Sequence, residues 1–346
     1  MIYLFLQLKF AMIYKGKEII FLILKIKRKN MKKISVVIPC KNEEKNIEVI
    51  YKSLKEVAQN LATYDFEYIF VDDGSTGNTL KEMKRLANED EKVKYISFSR
   101  NFGKEAAMLA GFKVSTGDYV TTIDSDLQDP PELIIDMVKI LEEGEYDNVA
   151  TIRKGRKGEG FIRSMMTHSF YKLSNQITEV KFVSGARDFR LMKREMVNAI
   201  LSLPEAERFL KGIYDWVGFK TYWLEFDHVA RKYGSSNWNI SGLFKYALNG
   251  MLNYTSFPLN VTNFFGWLST LSGIGLIVAS IIISVLNGVE FLGFMSILGF
   301  ICLLFGILFF CIGFLGKYLY LTLNEVRHRP HYIIRESNVE SIDRIG

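Results

Sequence analysis

From Ile34 onward, short apolar runs alternate with longer segments in which apolar positions recur every three to four residues. "ISVVIP" reads as a buried strand and Glu43 to Leu61 as an amphipathic helix. "FEYIFVDDGS" is a second strand, closed by acids and a turn, and Thr79 to Asn88 a second helix. "VKYISFS", the helix Lys104 to Val114, and "DYVTTIDSD" continue the series. Such alternation predicts an α/β fold, a mostly parallel sheet covered by helices.

After Lys157 the pattern weakens. "GFIRSMMTHSFYKLSNQI" reads as a helix, followed by the polar "SGARDFRLM", a helix ending at Leu203, and a strand or hairpin in "GFKTYWLEFDHVAR". Ile240, Leu243, Phe244, Ala247, Leu248, Met251 and Leu252 then recur at helical spacing, as in a helix lying on a membrane surface or facing a core. Two uncharged stretches follow, 23 residues from Phe264 to Leu286 and 26 from Phe291 to Gly316. About 20 apolar residues cross a bilayer, so both are expected to be transmembrane helices. Only Asn287 to Glu290 joins them, which predicts a tight hairpin. Lys245, Lys317, Arg327 and Arg329 flank the hairpin, while its turn carries no Lys or Arg. The positive-inside rule then places the preceding region and both termini in the cytoplasm. The polar tail after Glu325 is expected to add little.

Charge changes the picture in one place. The formal charge of +6 lies wholly in residues 1–30, which hold seven Lys or Arg against Glu18. The rest is formally neutral, so no nucleic-acid partner is expected. The leader's apolar runs are too short to span, and no small-residue cleavage site follows them. Either "MKKISVVIP" at Met31 is the natural start, or the leader is a basic membrane-surface anchor. Cys40, Cys302 and Cys311 are too few and too scattered for a disulfide framework or a zinc knuckle.

Ligands of open α/β sheets bind beyond the carboxyl ends of the strands. That rule gathers Pro39 to Glu44, Asp72 to Ser75 and Asp124 to Asp126 on one rim. Asp124 and Asp126 crowd like charge, which a hard divalent cation completed by substrate phosphates would relieve. Asp129, Pro130, Pro131 and Glu132 fit a helix start, with the acids favoured by the helix dipole. Asp72 and Asp73 offer acceptors for a base N–H or ribose hydroxyls, and Gly74-Ser75 make a turn. No G-x-G-x-x-G or Walker P-loop is present.

"SVVIPCKNEEKNI", "FVDDGSTGNTL", "SRNFGKEAAMLAGF" and "TIDSDLQDPPELI" together resemble the inverting family 2 glycosyltransferases of GT-A fold. With the hairpin, the resemblance is to polyprenyl-phosphate (bactoprenol) glucosyltransferases and dolichyl-phosphate mannose synthases, over roughly residues 32 to 330. It implies that Pro39, Asn42, Glu43 and Asp73 line a nucleotide pocket supported by Asp72. Asp124 and Asp126 would hold Mg2+ or Mn2+ on the diphosphate, with Gln128 beside the sugar. Asp188 in "ARDFRLM" matches the proposed catalytic base, and Arg208, Lys211 and Arg231 fall where basic residues meet phosphate. A lipid phosphate has its second pKa near ~6 and is already a nucleophile, so Asp188 is either a base or a positioning group. "YGSSNWN" departs from the family, with Asn237 and Trp238 where many relatives have Lys and an aromatic.

The expectation is therefore an enzyme anchored in the cytoplasmic membrane that moves one hexose, glucose first among candidates, from a UDP-sugar to undecaprenyl phosphate. Alternatives are mannosyl, GlcNAc or aminoarabinose transfer, a diacylglycerol-type acceptor, or a non-catalytic scaffold. The resemblance also allows a homo-oligomer and a separate flippase as partners. The expected organisation is an extension over 1–30, a catalytic domain over 31–235, a juxtamembrane segment over 236–260, a hairpin over 261–323 and a cytoplasmic tail over 324–346.

Overall fold

The computed structural model describes residues 31–154, 174–206, 208–227, 254–255, 257–287 and 294–340. The leader, Arg231, the "YGSSNWN" segment and the expected juxtamembrane helix lie outside the described residues. The strands are β1 (Lys33–Cys40), β2 (Asp65–Asp72), β3 (Val93–Phe98), β4 (Tyr119–Thr122), β5 (Asn148–Arg153), β6 (Ala186–Lys193), β7 (Thr221–Phe226) and β8 (Ile334–Ser337). They form one sheet in the order β7-β5-β6-β4-β1-β2-β3-β8. β4, β1, β2 and β3 run parallel, as the alternation predicts, and so do β5 and β7. β6 enters antiparallel between β4 and β5.

The helices of the catalytic half are α1 (Glu44–Asn60), α2 (Thr79–Glu89), α3 (Lys104–Val114), α4 (Leu133–Glu142), α5 (Arg194–Ser202) and α6 (Leu210–Trp216). α1 forms because Ile47, Ile50, Leu54 and Val57 fall on one stripe, and that stripe is buried. Period-two alternation sends Val36, Ile38 and Phe70 to the face covered by α1, α2 and α4. Val37, Ile69, Val120 and Met192 point to the other face, under α3, α5 and α6. α3 is buried along most of its length, and it lies close to the sheet through its small residues. A Cβ at Gly111 would fall 2.2 Å from Val37 Cγ1.

Two elements differ from the sequence reading. "SGARDFRLM" contains β6, whose charged residues hide a strand because several of them serve the site rather than the solvent. The tail is the larger correction. Its residues Ile334–Ser337 pair antiparallel with β3. Tyr332 is fully buried and stacks on Phe98 with ring centroids 5.0 Å apart. Asn338 Oδ1 accepts the Tyr95 N–H at 2.7 Å, and its Nδ2 donates to the Val93 carbonyl at 3.1 Å. A four-residue edge strand needs only one or two inward apolar side chains, so its sequence reads as polar tail.

Before the tail strand come two long helices, α7 (Phe257–Asn287) and α8 (Phe294–Val326). They pack antiparallel: Tyr318 Oη donates to the Thr255 carbonyl at 2.7 Å, and Cys311 Sγ lies 3.9 Å from the Thr262 carbonyl. Among the described residues, one segment is long and apolar enough to cross a membrane, Leu304–Val326 in α8. The expected span ended at Gly316 because Lys317 follows. A single lysine does not break a helix, and α8 continues ten residues further. Trp267, Leu271 and Leu286 on α7 and Phe309 and Leu319 on α8 are exposed, a surface that water would disfavour.

Candidate active site

The site is built where β4 and β6 run out. Thr122 on β4 lies opposite Arg190 on β6. Continuing that register by two residues sets Asp124 opposite Asp188 on the α3 face of the sheet. Thr122 Oγ1 donates to the Asp188 carbonyl at 2.5 Å and fastens the two chain segments there. Lys104, the first residue of α3, fills the gap between the carboxylates. Its Nζ lies 2.7 Å from Asp124 Oδ1 and 2.7 Å from Asp188 Oδ2.

Electrostatics follow from that arrangement. Burial alone would push the Asp188 carboxyl up, but Lys104, Lys211 and Arg190 more than offset it. Asp188 is held well below the usual carboxylate range and stays ionised. Burial would likewise lower Lys104, and the two carboxylates reverse the effect, keeping it a firm ammonium.

The acidic run divides by face. Asp126 is buried, and its Oδ1 accepts the Gln128 N–H at 3.1 Å. Leu127 between them has φ 59°, a strained value for a bulky residue, so the loop is held in an unusual shape. Asp129 is turned to the opposite face and pairs with Arg187, Oδ1 to Nε 2.9 Å and Oδ2 to Nη2 3.3 Å. This replaces the expected dipole role of Asp129 with a buried ion pair, because alternation along β6 sends Arg187 to the α4 side. Glu132 sits at the start of α4 without a side-chain capping bond.

The acids of the parallel half are satisfied by the protein itself. Asp73 Oδ1 accepts the Phe102 N–H at 2.7 Å and the Gly103 N–H at 3.1 Å, fixing the loop into α3. Gly103 has φ 101°, which favours glycine there. Asp72 faces the other way, accepting Ser75 N–H at 3.0 Å and Ser97 Oγ–H at 2.7 Å. Asn42 (φ 57°) accepts the Thr76 N–H at 3.0 Å, while Glu43 N–H donates to Thr79 Oγ1 at 3.0 Å. Pro39 lies on β1 opposite Val71. Behind Asp72, a cavity of about 660 Å3 is lined by Ser75, Lys81, Lys84, Ser97 and Arg335, the last from the tail strand.

Arg208 is not brought to the rim. Its guanidinium is turned inward and donates to the Leu203 carbonyl at 2.7 Å and the Ile200 carbonyl at 2.8 Å, closing the end of α5. Lys211, on α6, is near enough to lower Asp188. α6 itself is tied to α3 by Glu105, whose Oε2 accepts the Leu210 N–H at 2.8 Å. Sequence reasoning missed Lys104. One signal was available: a lysine in the first turn opposes the helix dipole and needs an anionic partner.

The family model for glycosyl transferase family 2 matches residues 35–201. CsbB of Bacillus subtilis (strain 168), which bears a glycosyltransferase name, is 40% identical over 310 residues, covering 90% of this chain and 93% of that protein. The chain belongs to glycosyl transferase family 2. This glycosyltransferase is also 39% identical to the bactoprenol glucosyl transferase of Shigella phage SfII, over 88% of its own length and 98% of the relative's. Among solved structures it is similar to glucosyl-3-phosphoglycerate synthase from Mycobacterium tuberculosis at 22% identity, covering 64% of this chain and 80% of that one, with a TM-score of 0.45.

The transferase's carboxylates fit a hard cation. Asp124 already holds a cation, the Lys104 ammonium, and it and Asp126 offer only oxygen donors. Among the described residues no group of three or more His, Cys, Asp or Glu is gathered as a metal cage. A site of two carboxylates suits Mg2+ or Mn2+ completed by phosphate and water, and not zinc.

Proposed function

We propose that this glycosyltransferase moves one hexose from a nucleotide sugar, UDP-glucose first among candidates, to undecaprenyl phosphate at the cytoplasmic membrane face. The observation that carries the reading is Asp124 held opposite Asp188 at the rim, with Asp126 beside them. Relatives named as bactoprenol glucosyl transferases, similar over 88% of the chain, support the acceptor class.

Lipid phosphate, largely dianionic above about pH 6, attacks the anomeric carbon from the side opposite the leaving group. A carbon–oxygen bond to the acceptor forms as the bond to the nucleotide diphosphate breaks, with inversion. The diphosphate leaves with the electron pair, and no proton need be removed. Asp188, depressed by its cationic neighbours, is a poor base and serves to position sugar and acceptor. Asp124 and Asp126 are the residues that would hold a divalent ion, which when bound stabilises the departing diphosphate. Lys211 draws the anionic acceptor toward an otherwise acidic rim. α7 and α8 form the membrane hairpin that keeps the site near lipid headgroups. The catalytic domain over 31–235 would be completed by β8.

Membranes carrying the protein, given radiolabelled UDP-glucose, undecaprenyl phosphate and Mg2+, are expected to form a labelled lipid. GDP-mannose and UDP-GlcNAc in parallel would identify another sugar. No labelled lipid from any donor, with protein shown to be folded, overturns the reading.

A further inference from the structure

We propose that Lys104 is a positioning residue that keeps Asp124 from a divalent cation until the donor diphosphate arrives. The inference rests on Asp124 being a metal carboxylate, as proposed above. The ammonium and a metal ion compete for the same carboxylate, since Lys104 Nζ lies 2.7 Å from Asp124 Oδ1. Two cations on one carboxylate repel at such distances, so a metal there disfavours the lysine.

The geometry gives the lysine somewhere to go. Its backbone is fixed, because Asp73 accepts the Phe102 and Gly103 N–H groups immediately before it. Its side chain has room to swing once a partner is lost, being 40% exposed on a flexible four-carbon stem. Asp188 Oδ2, also at 2.7 Å, retains the ammonium after Asp124 is surrendered. Metal alone removes one anionic partner from Lys104 and offers nothing in return. Metal arriving with a diphosphate replaces that partner with a phosphoryl oxygen. Metal loading and donor binding are thereby coupled, and coupling of this kind is reciprocal.

The test is a Mn2+ titration of the purified full chain in detergent, followed by electron paramagnetic resonance, with and without UDP. The wild type should bind Mn2+ weakly alone and about tenfold more tightly with UDP. Lys104→Met should bind Mn2+ alone about tenfold more tightly than wild type, gain little from UDP, and transfer sugar more slowly. Lys104→Arg, which keeps the charge, should retain the wild-type pattern. Adding Asp124→Asn to Lys104→Met should abolish the gain and so place it at this carboxylate. A residue that merely supports the fold would lower metal affinity and activity together.

Lys104→Met that binds Mn2+ no more tightly than wild type, while melting normally, overturns the proposal. Should that variant not fold, Lys104→Gln is read in the same way, and loss of the UDP effect in Lys104→Arg is equally adverse. Absence of sugar transfer by the wild type, with tighter Mn2+ binding still seen in Lys104→Met, would count against the activity and leave the lysine's role standing.

Discussion

At the ends of β1 and β2, polar side chains bond to neighbouring loops and to β3: Asn42 to Thr76, Asp72 to Ser75 and Ser97, Asp73 to Phe102 and Gly103. At the ends of β4 and β6 the acids face cations instead, Asp124 and Asp188 with Lys104, Asp129 with Arg187. Both regions are rich in acid, and both lie on one rim. The difference is in what the acids are given to hold. A backbone N–H is fixed in place, so the parallel half builds shape. A side-chain ammonium can be exchanged for another cation, so the antiparallel half can take part in a reaction.

The contrast can be broken most directly at Asp124. Asp124→Asn should lower transfer by about a thousandfold with the fold intact, measured by labelled-lipid formation and circular dichroism. Retained activity would place the reaction elsewhere. Asp129→Ala should cost about 2–3 kcal/mol of stability in thermal or urea unfolding, because it strands Arg187. Arg187 keeps some contact with water, so the loss should fall short of a fully buried pair. Asp73→Ala strands the Phe102 N–H, leaves Gly103 N–H only its bond to Asn101 Oδ1, and should cost about 1–2 kcal/mol, with slower transfer as the loop carrying Lys104 loosens. An unchanged melting temperature would show that the parallel half is not architecture.

The smallest effect concerns pH. Asp188 is depressed, so any stability it contributes is present above the usual carboxylate range and is lost only as pH falls through its lowered value. Between pH 5 and 8 it should not titrate. The rate should instead fall as pH drops below about 6, where the acceptor phosphate becomes a monoanion. An acid limb that moves with the sugar donor and not with the acceptor would restore Asp188 as a base.

The parallel half was legible because strand, turn and helix alternate cleanly there and the rule for strand ends locates its acids. β6 was not, since Arg187, Asp188 and Arg190 interrupt any apolar alternation while serving opposite faces. The pairing of Asp124 with Asp188 depends on a register between distant segments, which local periodicity does not carry. Arg208 looked like a phosphate ligand by position in the sequence, yet the carbonyls at the end of α5 claim it. The tail escaped because Tyr332 and Ile334 are the buried apolar side chains of that stretch, with Val339 packed partly against them.

The tail strand also fixes an order of assembly. β8 pairs with β3, yet it is synthesised only after both long helices. Throughout synthesis of the rest of the chain, β3 presents a bare edge, the kind of surface that recruits stray strands. The sheet is sealed last, by the same segment that leads back from α8. A transferase truncated just before Tyr332 would keep every rim acid and still carry an unfinished border.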